Sequence, residues 1–165
     1  MRQVNMLKHP KELDFELGLT IYIDEPARIT AKLGASRKSD VVYVALLKDG
    51  SRPLEKGDAL KVGQTGQTLL KRWTGTVGIF NRDVSKLKND SVRNDRRKWL
   101  EAAKGKEVSV WVKEPGEIEI SYAKGLITSR VTSRWVEEAI LDHYYQPKVR
   151  EQQDKEAPNH IGDFN

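Results

Sequence analysis

The chain contains no cysteine. Disulfide bridges and thiolate metal sites are therefore excluded, and the composition suits a reducing compartment, so the sequence predicts a cytoplasmic protein. No apolar run approaches the roughly 18 residues that a membrane-spanning helix needs. The first residues are polar and charged, which argues against a secretory leader. We therefore expect no membrane partner.

Several catalytic signatures are missing as well. No Asp-X-Lys or Glu-X-Lys tripeptide occurs, which argues against the common core of restriction enzymes. No glycine-rich loop ends in Gly-Lys-Ser or Gly-Lys-Thr, so nucleotide hydrolysis is not supported. The three histidines are widely scattered and form no His-Asn-His arrangement, and they do not predict a zinc site. No acids are spaced as in a two-metal site.

Positive charge is in excess. The formal net charge is +5, and the isoelectric point is near 9.3. Between Lys71 and Lys106 there are eleven Lys and Arg against four Asp and Glu, a surplus of seven that exceeds that of the whole chain. A solvated helix face would explain such a run. Its position beside the candidate phosphate site described below favours a nucleic-acid partner.

The apolar pattern predicts a single α+β domain with a small central, mainly antiparallel sheet flanked by helices. Residues 15–23 alternate as a half-buried strand. Residues 41–47 are apolar on both faces, which is typical of a central strand. A turn-rich loop then leads into a strand that ends at Gly63. Further strands are predicted over residues 107–112 and 118–122.

The remaining segments are predicted as helices and connections. Helices are expected over residues 26–33, 66–73, 92–104 and 131–145. Residues 74–91 are rich in Gly, Asn, Asp and Ser and predict a long loop, which in a compact domain tends to be functional. Residues 125–130 are expected to be a connection.

The stretch from Lys61 to Thr65 and the helix after it predict a phosphate site. Gly63 allows a backbone or a ligand to come close where a side chain would block it. Arg72 offers a planar, permanently charged fork that matches phosphate oxygens. Taken alone, the pattern is more often a strand, a turn and a helix with a surface arginine.

An ordered set of short motifs resembles the GIY-YIG nuclease family. The set consists of Val41-Val42-Tyr43, Lys61-Val62-Gly63 with Gln64-Thr65, a helix with Arg72, and a late helix with a Glu before Pro147. The resemblance covers residues 40–147 and implies a nuclease core there. Residues 1–39 would be an N-terminal extension and residues 148–165 a polar C-terminal tail.

The sequence departs from the family pattern at three points. Lys61 stands where most members have the second tyrosine, as it does in some restriction enzymes of the family. The loop over residues 48–58 is longer than usual. The Asn that commonly follows the final Pro has no clear counterpart.

The resemblance implies a divalent-metal-dependent DNA endonuclease that hydrolyses phosphodiester bonds. Lys61 and the compact build favour a sequence-specific restriction type that acts on double-stranded DNA, commonly as a homodimer. Arg72 would neutralise charge on the phosphoryl oxygens. Either Tyr43 or Lys61 would be the general base; the lysine suits that role only if a neighbouring charge lowers its pKa.

The metal ligand implied by the family is a carboxylate of the last helix. One carboxylate suits one hard cation, Mg²⁺ or Mn²⁺. At 100° per residue, Val136, Ile140 and Tyr144 centre the apolar face, which puts Glu137 about 60° and Glu138 about 160° from that centre. We therefore favour Glu137 as an inward ligand and interpret Glu138 as an exposed partner of Arg134. Glu138 stays open as the alternative.

Contacts with DNA are expected from polar and basic residues near this site. They are Gln64, Thr65, Lys71, Arg93, Arg96, Arg97 and Lys98, together with the loop over residues 74–91. Three alternatives stay open at this point: a nucleic-acid-binding protein that has lost cleavage, a domain whose basic surface is incidental, and a repair or mobile-element nuclease.

Overall fold

The computed structural model of the chain describes residues 7–47, 54–83, 91–116, 118–122, 125–129 and 133–149. The elements in these ranges are β1 (Glu16–Tyr22), β2 (Arg28–Ala31), β3 (Val41–Leu46), β4 (Ala59–Thr65), α1 (Leu69–Asn81), α2 (Ser91–Glu101), β5 (Glu107–Lys113), β6 (Ile118–Tyr122), β7 (Gly125–Ser129) and α3 (Arg134–Tyr145). Short 3₁₀ helices cover Pro10–Leu13 and Ala35–Arg37. None of the helices in the described ranges combines the length and apolar character needed to cross a membrane.

Five strands form one sheet in the order β2-β1-β5-β3-β4, and every pairing is antiparallel. The predicted α+β class is therefore confirmed. β1 lies between β2 and β5, so residues 16–31 contribute two strands to the same sheet as β3 and β4. β6 and β7 form a separate hairpin.

Side chains of the sheet alternate between two apolar layers, as the two-residue period of a strand requires. On one face, Tyr43 and Ala45 of β3 pack with Trp73 of α1 and Trp99 of α2. On the other face, β3 and β4 pack with α3, for which Leu141 supplies a fully buried contact. Both faces of β3 are buried, as its continuous apolar sequence predicts.

The predicted loop over residues 74–91 is wrong in its first half, because residues 74–81 belong to α1. Trp73, Val77 and Phe80 recur at helical spacing and bury one side of this segment. Gly75 and Gly78 face open space, so their low helix propensity is outweighed by the burial of the apolar side. The second half of the predicted loop includes residues 84–90, which lie outside the described residues.

Two smaller expectations also require correction. The segment predicted as a helix over residues 26–33 contains β2, which pairs with β1. The connection predicted over residues 125–130 contains β7, which pairs with β6. In both cases pairing with a neighbouring strand determines the conformation of a short segment whose own apolar pattern is weak.

Candidate functional site

Gly63 makes room for Tyr43, which lies directly opposite it on the neighbouring strand. A Cβ atom at position 63 would collide with the Tyr43 hydroxyl and ring. The ring therefore crosses β4 through the space that the missing side chain leaves. Because β4 is an edge strand, this crossing carries the phenolic oxygen toward the margin of the sheet.

Tyr43 is 1% exposed, and charges of both signs act on its hydroxyl. Burial raises the pKa of this phenol. The positive charges of Arg72 and Arg96, and a hydrogen bond with Arg72, act in the opposite direction, while the negative charge of Glu138 adds to the rise. The balance leaves the pKa above its usual value, so Tyr43 is protonated at neutral pH and offers an O–H donor.

Arg72 is held in place by Thr76, one turn later on α1. Its Nη1 donates a hydrogen bond to Thr76 Oγ1 at 2.7 Å, and the threonine hydroxyl donates to the Arg72 carbonyl oxygen at 3.2 Å. Thr76 is buried. The spacing of four residues puts both side chains on one side of the helix. Sequence reasoning missed Thr76 because it placed this residue in a loop.

An open cleft of about 460 Å³ lies at the C-terminal end of β4. We call it the cationic cleft, because four basic side chains and no carboxylate line it. Its lining comprises Gln64, Thr65, Gly66, Gln67, Lys71, Arg72, Gly75, Arg96, Arg134 and Trp135. The structure therefore brings four of the predicted DNA contacts together with Arg72: Gln64, Thr65, Lys71 and Arg96.

Lys61 does not line the cationic cleft. It is buried, and its Nζ lies 5.3 Å from the centre of the Trp99 ring, so the ammonium packs beneath α2. The register pairs Lys61 with Ala45, which places it on the same face of the sheet as Tyr43. The positive charge of Lys61 thus lies below the site rather than in the open cleft.

The two glutamates of α3 have different surroundings. Glu137 points inward as predicted and is 0% exposed. Its carboxylate accepts from Lys113 Nζ at 2.7 Å and from the Gly116 backbone N–H at 2.8 Å. Lys113 is paired with Val42 and lies on the α3 face of the sheet, opposite to the face of Tyr43. The structure therefore does not bring Glu137 to Tyr43 and Arg72.

Glu138 is the glutamate of α3 that lies near Tyr43. It is half-buried, and its charge acts on the Tyr43 hydroxyl. It lies one helical turn after Arg134, which lines the cationic cleft. The carboxylate of Glu137 is bound within the fold by Lys113 and Gly116, whereas the charge of Glu138 acts on Tyr43; the choice of metal ligand between them stays a prediction.

Arg97 serves the fold rather than the cleft. Its Nη1 donates to the Phe80 carbonyl oxygen and, at 2.9 Å, to that of Arg82, so it caps the C-terminal end of α1. It also forms an ion pair with Glu101 at 3.1 Å. Arg97 therefore lies outside the cleft lining, and its contact with DNA stays a prediction. Lys98 is exposed outside the cleft lining, and the side chain of Arg93 lies outside the described residues.

Arg134 was missed as a cleft residue by sequence reasoning. Its Nε donates to Gln64 Oε1 at 2.6 Å and its Nη1 to Asp40 Oδ1 at 3.1 Å, so it connects the start of α3 to β4. Trp135 follows it and is 64% exposed. An aromatic residue beside a basic one at the start of a helix was the signal available in the sequence.

One carboxylate, that of Glu138, would hold a magnesium or manganese ion only if the substrate completes the coordination. Among the described residues, no group of three or more His, Asp or Glu side chains could hold a metal ion. Mg²⁺ is commonly bound through one or two carboxylates together with waters and substrate phosphates. The single carboxylate of Glu138 beside a cleft that suits phosphate is compatible with that arrangement.

Comparison with known proteins shows a similarity of fold. No protein-family model matches the chain, and no curated protein matches it. The structure of a mutant of bacteriophage T4 EndoII is similar at 16% identity, over 86% of this chain and 95% of that one, with a TM-score of 0.52. The restriction endonuclease HPY188I in complex with product DNA matches at 18% identity, over 88% and 91%, with a TM-score of 0.45. The chain therefore shares the fold of the phage protein.

Proposed function

We propose that this protein is a DNA endonuclease of the GIY-YIG type that requires a divalent metal ion. One observation carries the proposal: Arg72, which lines the cationic cleft, forms a hydrogen bond with the buried Tyr43 hydroxyl, and the charge of Glu138 acts on the same hydroxyl. The fold shared with EndoII, the phage protein, is compatible with it. In the finer form of the proposal the enzyme is a restriction-type cutter of double-stranded DNA that acts as a homodimer.

The cationic cleft would bind the DNA backbone. Lys71, Arg72, Arg96 and Arg134 provide four positive charges without a carboxylate in the lining. Such a surface attracts phosphates by releasing their counterions, so binding weakens as salt rises. Gln64 and Thr65 add polar groups at the same place, although the Gln64 side-chain oxygen already accepts from Arg134.

Hydrolysis also requires stabilisation of the charge that develops on the phosphoryl oxygens. Arg72 is suited to this task, because Thr76 fixes one of its nitrogens and leaves a permanently charged fork at the cleft. Tyr43, which is protonated at rest, donates a hydrogen bond to a phosphoryl oxygen or to the attacking water. Lys61, which packs against Trp99 on the same face of the sheet as Tyr43, adds positive charge.

Tyr43 and Lys61 are the two candidates for the general base. For Tyr43 to accept a proton it must first lose its own, which its burial opposes and the charges of Arg72 and Arg96 favour. Lys61 lies beneath Trp99 rather than in the cleft, so it is the weaker candidate. A magnesium or manganese ion held by Glu138 would supply Lewis-acid stabilisation and an acidified water.

The test is a cleavage assay on supercoiled plasmid and long phage DNA, with Mg²⁺, with Mn²⁺ and with EDTA, analysed on a gel. Discrete fragments in the presence of metal support the restriction type, whereas nicking or a smear supports a nuclease of another type. Intact DNA that is nevertheless retarded by the protein would replace the proposal by a non-catalytic binding function.

Two arginine variants make the assay specific. Arg72→Ala should lower the rate by about 100-fold or more, because it removes a fixed charge from the transition state. Arg28→Ala is the matched control, because Arg28 is an exposed arginine on β2, the opposite edge of the sheet. Normal cleavage by the Arg72 variant would remove this residue from the mechanism.

A further inference from the structure

Trp135 is the one exposed tryptophan of the described residues, at 64%, whereas Trp73, Trp99 and Trp111 are buried. It lines the cationic cleft and also a second cleft of about 470 Å³. A large aromatic ring in water forgoes the stabilisation that burial gives. Its exposure at both clefts suggests that a ligand covers it.

The ring is held beside a fixed cation. Arg134 Cζ lies 5.6 Å from the centre of the Trp135 ring. The guanidinium is itself anchored by Gln64 and Asp40. Arg134, which helps to line the cleft, and the exposed ring of Trp135 therefore lie together at the start of α3.

A nucleic acid offers the matching chemistry. Each phosphate of a strand is one sugar away from a flat aromatic base, so a phosphate in the cationic cleft would bring a base close to its rim. Stacking of bases on aromatic side chains next to a basic surface is how single strands are commonly bound. In an intact duplex the faces of each base are covered by its neighbours. Away from the duplex ends, an exposed ring can therefore stack only on a base that has left the duplex stack.

We infer that Trp135 stacks on an unpaired nucleobase, so that the cleft binds single strands and locally unpaired duplexes more tightly than fully paired DNA. The inference rests on the proposed endonuclease function, not on its restriction subtype, and names the preferred substrate: DNA that is distorted where its backbone enters the cleft.

Binding is measured in EDTA, where cleavage does not interfere, with three DNA probes. They are a thymidine 12-mer, a fully paired duplex, and the same duplex with one unpaired thymine. Trp135→Ala should weaken binding of the first and third probes by about fivefold or more, the lower end of one stacked base. Its effect on the paired duplex should stay below about twofold, and Trp135→Phe should recover part of the loss.

Tyr22→Ala is the matched control. Tyr22 is 42% exposed and has Arg28 Cζ 5.9 Å from its ring centre, so it forms a similar pair of ring and cation on β1 and β2, the two strands farthest from β4. This variant should bind all three probes as the wild type does. Equal weakening of all probes by Trp135→Ala, or no weakening, would overturn the inference.

Two further readouts separate this inference from the proposed function. Acrylamide quenching of tryptophan fluorescence should fall when the unpaired-thymine duplex binds, and this decrease should vanish in Trp135→Phe. If polyglutamate protects the ring as well as DNA does, the occupant is an acidic peptide and the inference fails. If the probes bind as expected but plasmid stays intact, the inference holds and the nuclease function fails.

Discussion

Replacing Glu137 by glutamine distinguishes the two glutamates of α3. In the wild-type protein the buried carboxylate of Glu137 neutralises Lys113, whose side chain is only 11% exposed. Glu137→Gln keeps the shape and an acceptor for the Gly116 N–H, but it leaves the ammonium without its counter-charge. We therefore expect a protein that is less stable but still able to cleave DNA.

The size of the loss follows from the burial of the pair. Removing one partner of a buried ion pair costs about 3–5 kcal/mol. The remaining exposure of Lys113 allows some hydration, and the hydrogen bond from Gly116 is kept, so about 3 kcal/mol is expected. For a urea dependence of about 2 kcal/mol per molar, the unfolding midpoint should fall by roughly 1.5 M. The double variant with Lys113→Gln should recover part of the loss, because no unpaired charge stays buried.

The assay pairs urea unfolding, followed by tryptophan fluorescence, with plasmid cleavage in the absence of urea. Glu138→Gln should show the opposite pattern: a change in stability below about 1 kcal/mol, cleavage abolished and DNA binding retained. If Glu137→Gln instead abolishes cleavage at an unchanged midpoint, and Glu138→Gln cuts normally, our assignment of the helix faces is wrong.

Three further predictions concern Tyr43 and its neighbours. Thr76→Val should lower cleavage by about tenfold while leaving DNA binding unchanged, because it releases the Arg72 guanidinium, and Thr76→Ser should restore the rate. Gly63→Ala should lower the free energy of unfolding by about 1–3 kcal/mol in urea titrations, because the added methyl group collides with the Tyr43 hydroxyl. Burial raises the pKa of Tyr43. The contribution of Tyr43 to the free energy of unfolding is therefore complete below pH ~10, where a free phenol begins to ionise, and is lost at higher pH. Urea midpoints measured from pH 8 to 11 should therefore fall less steeply in Tyr43→Phe, and an unchanged slope would contradict this.

The strands that form the floor of the site could be predicted because their apolar patterns are strong. β3 is apolar throughout, and its position inside the sheet follows from that pattern. The prediction that Tyr43 and Arg72 belong to one site depends on the order of short motifs along the chain, not on the periodicity of apolar residues. α1 was predicted too short, because Gly75 and Gly78 were given more weight than the helical recurrence of Val77 and Phe80.

The different surroundings of Glu137 and Glu138 have a geometric cause. The predicted apolar face of the last helix was centred on Val136 and Ile140, which the structure leaves half-buried. The residues that α3 buries are Glu137, Leu141, Tyr144 and Tyr145. Their centre is rotated by about 85° from the predicted one, which leaves Glu138 on the flank of the helix rather than opposite the sheet. The helical pattern could not reveal that the site lies at the edge of β4, since that depends on how Tyr43 crosses it.

The position of β1 has a consequence for how the chain assembles. Tyr22 pairs with Glu107 and Leu17 with Trp111, so β1 obtains one of its two neighbours only from a strand far along the chain. During synthesis β1 emerges before β5 and can form only its hairpin with β2 until β5 is complete. Contacts of such large sequence separation slow folding and prolong the time during which a strand edge is unpaired. A fragment that begins at residue 40 would lack the strand that covers β5, and it should aggregate through that edge rather than fold as a smaller domain.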